Sequence, residues 1–295
     1  MLHPSASDLL EPTERGHRVA VASGVEIYCA EDDYTDGWLK PDTVLMIHGI
    51  AEYGGIWRGW VPHLARTHRV LRPDLRGFGR SSALPAGDDF TIIDWADDLE
   101  ALLNALGRDR VHVVATKLGA QVAFELAQRR LPAISSMTLA GMLPSPSAAL
   151  GPLLDELLTR IERNGVEDWA RMTMPGRMGS ALSSDAMEWW TMLMATSPAS
   201  SVLTSMRMLS KLHGPRMPEQ IACPTMFISA ASKPVPGKYN QQPEMADMER
   251  LIARVPGARS CVIEADSFHI AATHPDACAL RTAEFINDVN GQAKR

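Results

Sequence analysis

Three short stretches of this chain carry side chains able to do chemistry, and each follows a run that reads as a β-strand. His48-Gly49 ends the run TVLMIHG and Ile50 follows it, with Glu52 three residues beyond Gly49. Lys117 stands between VHVVAT and the helical run LGAQVAFELAQRR, and His269 closes Ser267-Phe268-His269 after SCVIEAD. A lysine at a strand-to-helix junction projects at the helix N-terminus, whose partial positive charge disfavours the ammonium form, and burial pushes the same way. As a neutral amine it is a Schiff-base nucleophile. Held by the carboxylate of Glu52 it is instead a fixed cation aimed at developing negative charge. An imidazole such as His269 supplies acid/base chemistry near neutral pH. Glu264 and Asp266, just before it, and Asp247 are candidates to orient its ring.

These groups need a frame that brings strand ends together. Short β-branched runs alternate with longer amphipathic ones, the pattern of a mainly parallel sheet covered by helices. Strands are expected at 17–23, 25–31, 43–49, 68–74, 111–116, 134–140, 224–230 and 260–266. Helices are expected near 57–66 and over 91–107, 118–130, 243–255 and 275–289. Between Gly141 and Pro218 the strand signal gives way to helical pieces broken by Pro, Gly and Ser. That stretch holds ten of the 16 methionines, together with Trp169, Trp189 and Trp190. Flexible thioethers and aromatics suit an adaptable apolar pocket, or equally a small helical subdomain that needs gap-filling side chains.

With 295 residues, 45% hydrophobic and 22% charged, the composition is that of a globular protein and excludes collagen-like, disordered and disulfide-scaffold classes. A net charge of −6 gives no global attraction to phosphate, so neither nucleic acid nor a membrane is an expected partner. A small-molecule substrate is expected, and self-association as a homodimer is left open. Cys29, Cys223, Cys261 and Cys278 form no C-x-x-C pair and read as reduced core thiols. No metal site and no cofactor are expected. The N-terminal MLHPSASDLLEPTERGHR has acids and prolines where a secretory signal needs a basic flank and an apolar run, so a cytoplasmic location is expected.

Taken in order, the motifs make the chain resemble the α/β-hydrolase superfamily, in the cap-bearing branch that includes lactonases, dehalogenases, epoxide hydrolases and C–C hydrolases. The resemblance rests on His48-Gly49-Ile50, on the loop Pro73-Asp74-Leu75-Arg76-Gly77-Phe78-Gly79-Arg80-Ser81-Ser82, on the strand-turn-helix over Val111 to Arg130, and on the late His269. It implies an eight-stranded mainly parallel sheet formed by 1–141 and 218–295, with a helical cap at 142–217. It also implies an oxyanion hole from the backbone N–H groups of Ile50 and Leu118, and His269 as the catalytic histidine; His48 reads as structural. The elbow departs from the family's G-x-S-x-G: Ala115-Thr116-Lys117-Leu118-Gly119 puts lysine at the nucleophile position. Lys233 stands where the family's acid usually falls, and with Trp189, Trp190 and Met142 it is assigned to the substrate pocket. Acylating Lys117 would create an amide far harder to hydrolyse than a serine ester, which excludes the serine-hydrolase route. Three readings stay open. In one, Lys117 is a cationic stabiliser paired with Glu52 while His269 moves a proton on a small, partly apolar carbonyl compound. In another, Lys117 is a Schiff-base nucleophile of a lyase performing retro-aldol cleavage, decarboxylation or elimination. In the third, the chain is a non-catalytic ligand-binding member of the fold.

Overall fold

Eight apolar runs bounded by turn residues pair into one sheet of order β1-β2-β4-β3-β5-β6-β7-β8. The strands are β1 Gly16–Ala22, β2 Val25–Asp32, β3 Thr43–Ile47, β4 Arg69–Pro73, β5 Val111–Thr116, β6 Ile134–Ala140, β7 Thr225–Ala230 and β8 Arg259–Ile263. This computed structural model describes residues 15–85, 89–231, 239 and 242–293. β1 and β2 are antiparallel to each other, and β2 is antiparallel to β4; the pairs from β4 through β3, β5, β6, β7 and β8 are parallel. Every residue of β3, β5 and β7 is buried, as strands covered on both faces require. The expected strands therefore all form, each within three residues of its expected ends.

The helices are α1 Val61–Leu64, α2 Ile92–Ala105, α3 Leu118–Gln128, α4 Pro146–Leu150, α5 Leu154–Met178, α6 Ser184–Ala195, α7 Ala199–Leu209, α8 Met245–Arg254, α9 Ile270–Thr273 and α10 Pro275–Ala293. α2 begins at a capping box in which Thr91 and Asp94 satisfy each other's backbone N–H groups. The helix expected near 57–66 is instead a 3-10 turn, Gly54–Gly59, followed by the single turn of α1. Glycines at 54, 55 and 59 weaken an α-helix there. The tighter winding brings residues three apart into line, and Trp57 and Trp60 meet edge-to-face at 5.1 Å.

Between β6 and β7 the chain adds α4 to α7 and, among the described residues, no strand. α5 is two helices joined at Gly165, whose φ of 85° and ψ of 176° lie outside the helical region. Met142, Met174, Met178, Met194 and Met206 are buried in the hydrophobic core, so half of this segment's methionines fill gaps. Of the four cysteines, all free, Cys29 and Cys278 are buried, whereas Cys223, just before β7, and Cys261, in the edge strand β8, are only partly so.

One close approach fixes how α3 leaves β5. A Cβ on Gly119 would stand 2.4 Å from the Ile47 carbonyl oxygen and 2.5 Å from that of His48, both rigid backbone at the end of β3. We therefore expect Gly119→Ala to destabilise the fold by about 1–3 kcal/mol, the usual cost of overpacking. The lowered midpoint of thermal unfolding measures it, and an unchanged midpoint would show that α3 can move away from β3.

Candidate active site

Lys117 forms the turn from β5 into α3 with φ 51° and ψ −116°, a left-handed backbone that a side chain adopts only under strain. Its backbone N–H donates to the Gly141 carbonyl at 3.2 Å, tying the turn to the end of β6. A second strained residue, Ala51 with φ 56°, follows Ile50 in the turn after β3 and brings Glu52 back beneath the strand end. There Glu52 Oε2 accepts the Gly49 N–H at 2.8 Å. Gly49 leaves room for this arrangement: a Cβ would lie 2.6 Å from Lys117 Cε and 2.9 Å from Glu52 Oε2, so either side chain would have to shift.

The other carboxylate oxygen is shared. Lys117 Nζ donates to Glu52 Oε1, and His269 Nε2 lies 2.8 Å from that same oxygen, out of line for a well-formed hydrogen bond. All three side chains are buried. His269 sits at the start of α9; its backbone N–H donates to the Arg177 carbonyl at 3.0 Å, and the Ser267 hydroxyl donates to the same carbonyl at 3.1 Å. Trp190 packs edge-on against its ring at 5.4 Å between centroids.

Burial alone would raise the Glu52 carboxyl, but the charge of Lys117, aided by the His269 ring beside it, overcomes it and holds the group far below the carboxylate range. Burial lowers Lys117 to about 8; Arg177's charge pushes the same way, and the Glu52 carboxylate opposes both. Burial, followed by the charge of Lys117, lowers His269 to about 4. At neutral pH the site thus holds a carboxylate, an ammonium and a neutral imidazole.

A cavity of about 30 Å³ opens beside Lys117, walled by Ile50, Leu118, Leu143, Trp169, Met206 and Phe268 among others. Met142 does not reach it. That side chain lines a separate space of about 10 Å³ with Ser229, Met248 and Ser267, because Gly141, at φ 66°, turns the chain away at the end of β6. Trp189 is half-buried under the Arg58 guanidinium, 3.6 Å from its ring centroid, while its neighbour Trp190 covers His269. Lys233 lies outside the described residues.

None of the acids proposed to orient His269 does so by a hydrogen bond. Asp266 accepts the Ser180 N–H at 3.0 Å, Asp247 pairs with Arg250, and Glu264 is exposed. Glu52 takes the place beside the ring. His48 is structural: with its ring held neutral by burial, at about 4, Nδ1 donates to the Gly49 carbonyl at 2.7 Å and Nε2 accepts the Leu75 N–H at 2.9 Å.

Sequence reasoning missed Arg177. It is 3% exposed and lines the Lys117 cavity, with its guanidinium 4.5 Å over the Trp169 ring and Nη1 3.7 Å from Met194 Sδ. Its signal was present in the helical spacing: Trp169, Ala170, Thr173, Met174, Arg177 and Met178 form one buried stripe of α5, with a single charge in it.

The sequence profile of the alpha/beta hydrolase fold matches residues 42–165. The bromoperoxidase of Bacillus anthracis superposes with a TM-score of 0.80 at 19% identity, over 92% of this chain and all of that one. This chain has the α/β-hydrolase fold. Within the fold, the chain is 35% identical to a haloalkane dehalogenase of Mesorhizobium japonicum over 108 residues, which are 37% of this chain and 34% of that protein. It is 41% identical to a pimeloyl-[acyl-carrier protein] methyl ester esterase of Methylococcus capsulatus over 98 residues, 32% of this chain and 35% of that protein. The chain thus spans about a third of the length of these curated relatives. Among the described residues no helix is long and apolar enough to cross a membrane.

Within this candidate site, the charges of Lys117 and Glu52 depend on each other. Removing one partner of a buried pair leaves the other uncompensated and costs about 3–5 kcal/mol, whereas removing both is nearly neutral. Lys117→Met is accordingly expected to be strongly destabilised and Lys117→Met/Glu52→Gln largely restored, as read from denaturant unfolding. Additive losses would show that the two side chains do not interact.

Proposed function

We propose that this chain is a hydrolase-superfamily enzyme that transforms a small, partly apolar carbonyl compound without a serine nucleophile. The observation that carries the reading is the shared carboxylate: Glu52 Oε1 accepts from Lys117 Nζ and lies 2.8 Å from His269 Nε2. A carboxylate in that place favours the ammonium form of Lys117, which argues for a cation over a Schiff-base amine. Lys117, the member of the trio that lines the cavity, joins the backbone N–H groups of Ile50 and Leu118 around the substrate's carbonyl oxygen. Neutral His269 takes a proton from water as its oxygen bonds to the carbonyl carbon, and the C=O electron pair moves to the stabilised oxygen. Collapse of that intermediate expels the leaving group, which receives the proton from His269.

The helical segment 142–217 serves in this reading as a cap. A cavity of about 30 Å³ has room for about two waters. Trp190 also covers the His269 ring. Displacement of α5 and α6 from the strand ends admits the substrate and uncovers the imidazole in one movement. The apolar wall disfavours a sugar or a phosphate ester.

A panel of small aryl esters, lactones and β-diketones tests the reading. For any compound turned over, kcat/KM is expected to be bell-shaped in pH. It falls on the acid side as His269 takes a proton near pH 4 and on the alkaline side as Lys117 loses one near pH 8. His269→Ala should lose about 10²–10⁴-fold in kcat. Borohydride with the same compounds at neutral pH should leave the intact mass unchanged; a reduced adduct on Lys117 would transfer the assignment to Schiff-base chemistry.

A further inference from the structure

The buried cluster holds more positive charge than it can neutralise. Lys117 and Arg177 are both cationic at neutral pH, Arg177 even though burial lowers it to about 10, and His269 is neutral. Against these two cations stands one carboxylate, Glu52, already bonded to Lys117 and to the Gly49 N–H. Arg177 forms no ion pair among the described residues: its guanidinium meets a thioether sulfur and the Trp169 face, and its buried Nε has no hydrogen-bond partner there. A guanidinium so placed is costly unless something else meets it. Nothing about the local backbone demands an arginine there, since the contacts that hold His269 and Ser267 use the Arg177 carbonyl.

We infer that Arg177 is the anchor for a carboxylate group of the ligand, so that the site takes small organic acids with an apolar body. The inference rests on the reading of the Lys117 cavity as the substrate site. A planar guanidinium matches a carboxylate in bidentate fashion. One unshared positive charge matches one negative charge, whereas a phosphate dianion would bring an excess. The remaining wall, with Leu118, Leu150, Met206, Leu209 and Phe268, accepts hydrocarbon. The carboxylate would then fix which end of the molecule lies under Lys117, giving the site a direction as well as a charge preference.

The test is binding, which requires no turnover and so stands or falls apart from the proposed chemistry. Paired probes of equal shape are phenylacetate and phenylacetamide, and 4-methylpentanoate and 4-methylpentanamide, titrated by calorimetry and by the fluorescence of the full chain, in which Trp169 lies under the guanidinium. The expected result is at least tenfold tighter binding of each acid than of its amide. Arg177→Met should bring that ratio close to one, while Arg177→Lys keeps part of it. The preference should persist in Lys117→Met/Glu52→Gln, which removes a balanced pair and leaves Arg177. Arg177→Met should unfold at the same temperature as the parent or higher, since an uncompensated buried charge has gone. Equal binding of acid and amide, binding of neither, or a preference that survives Arg177→Met and disappears in the double variant would overturn the inference. So would bromide or inorganic phosphate binding at Arg177 more tightly than either acid. If the acids bind as expected but His269→Ala loses no activity, the anchor stands and the proposed proton transfer fails.

Discussion

One buried carboxylate holds this site together. Glu52 receives the Gly49 N–H on one oxygen and Lys117 Nζ on the other, with His269 Nε2 2.8 Å away. A carboxylate so far from water survives only because cations and donors surround it, and a lysine so placed keeps its proton only because the carboxylate is there. Neither charge is stable without the other, so the turn after β3 and the turn after β5 are bound by electrostatics as well as by packing. This pairing also sets His269, whose neutral ring is the form that burial and the nearby ammonium both favour.

The geometry that makes the pairing possible is bought with backbone strain. Lys117 at φ 51° and Ala51 at φ 56° are both non-glycine residues in the left-handed region, each costing on the order of 1–3 kcal/mol. The glycines around them have the opposite task of leaving space: Gly49 for the lysine stem and the carboxylate, Gly119 for the carbonyls of Ile47 and His48. Asp74 fixes the neighbouring loop, accepting the Gly54 N–H and the Arg80 N–H at 2.8 Å each. The parallel strands supply the stiffness against which these strained turns are held.

Much of this was legible in the sequence, for identifiable reasons. The strands were visible because parallel strands buried on both faces read as unbroken apolar runs, as VHVVAT does. Glu52 was only a candidate partner for Lys117, because its place three residues after Gly49 left open whether it faced the lysine or solvent; the turn at Ala51, with φ 56°, is what brings the two together. Arg177 was hidden because it lies 60 residues beyond Lys117 in a segment whose helices meet the sheet only through tertiary packing, and because one arginine in an amphipathic helix ordinarily faces water. Met142 was misplaced for a related reason. As one of the flexible thioethers of the Met- and Trp-rich segment it was assigned to the pocket, but the turn at Gly141 directs its side chain into the neighbouring cavity.

A lysine at the elbow changes what the fold's usual advantages do. The helix N-terminus behind the turn favours a developing anion and opposes an ammonium. Serine gains from that field as its oxygen becomes negative, whereas Lys117 is destabilised by it and needs a counter-charge. Glu52 supplies that charge from the turn after β3, so in the proposed reading the carboxylate and a substrate oxygen would compete for one donor group, Lys117. The competition is resolved in favour of substrate only if Lys117 can serve both, donating one N–H to Glu52 and turning another toward the cavity it lines. An ammonium has three donors and can do this. A hydroxyl, with one, could not.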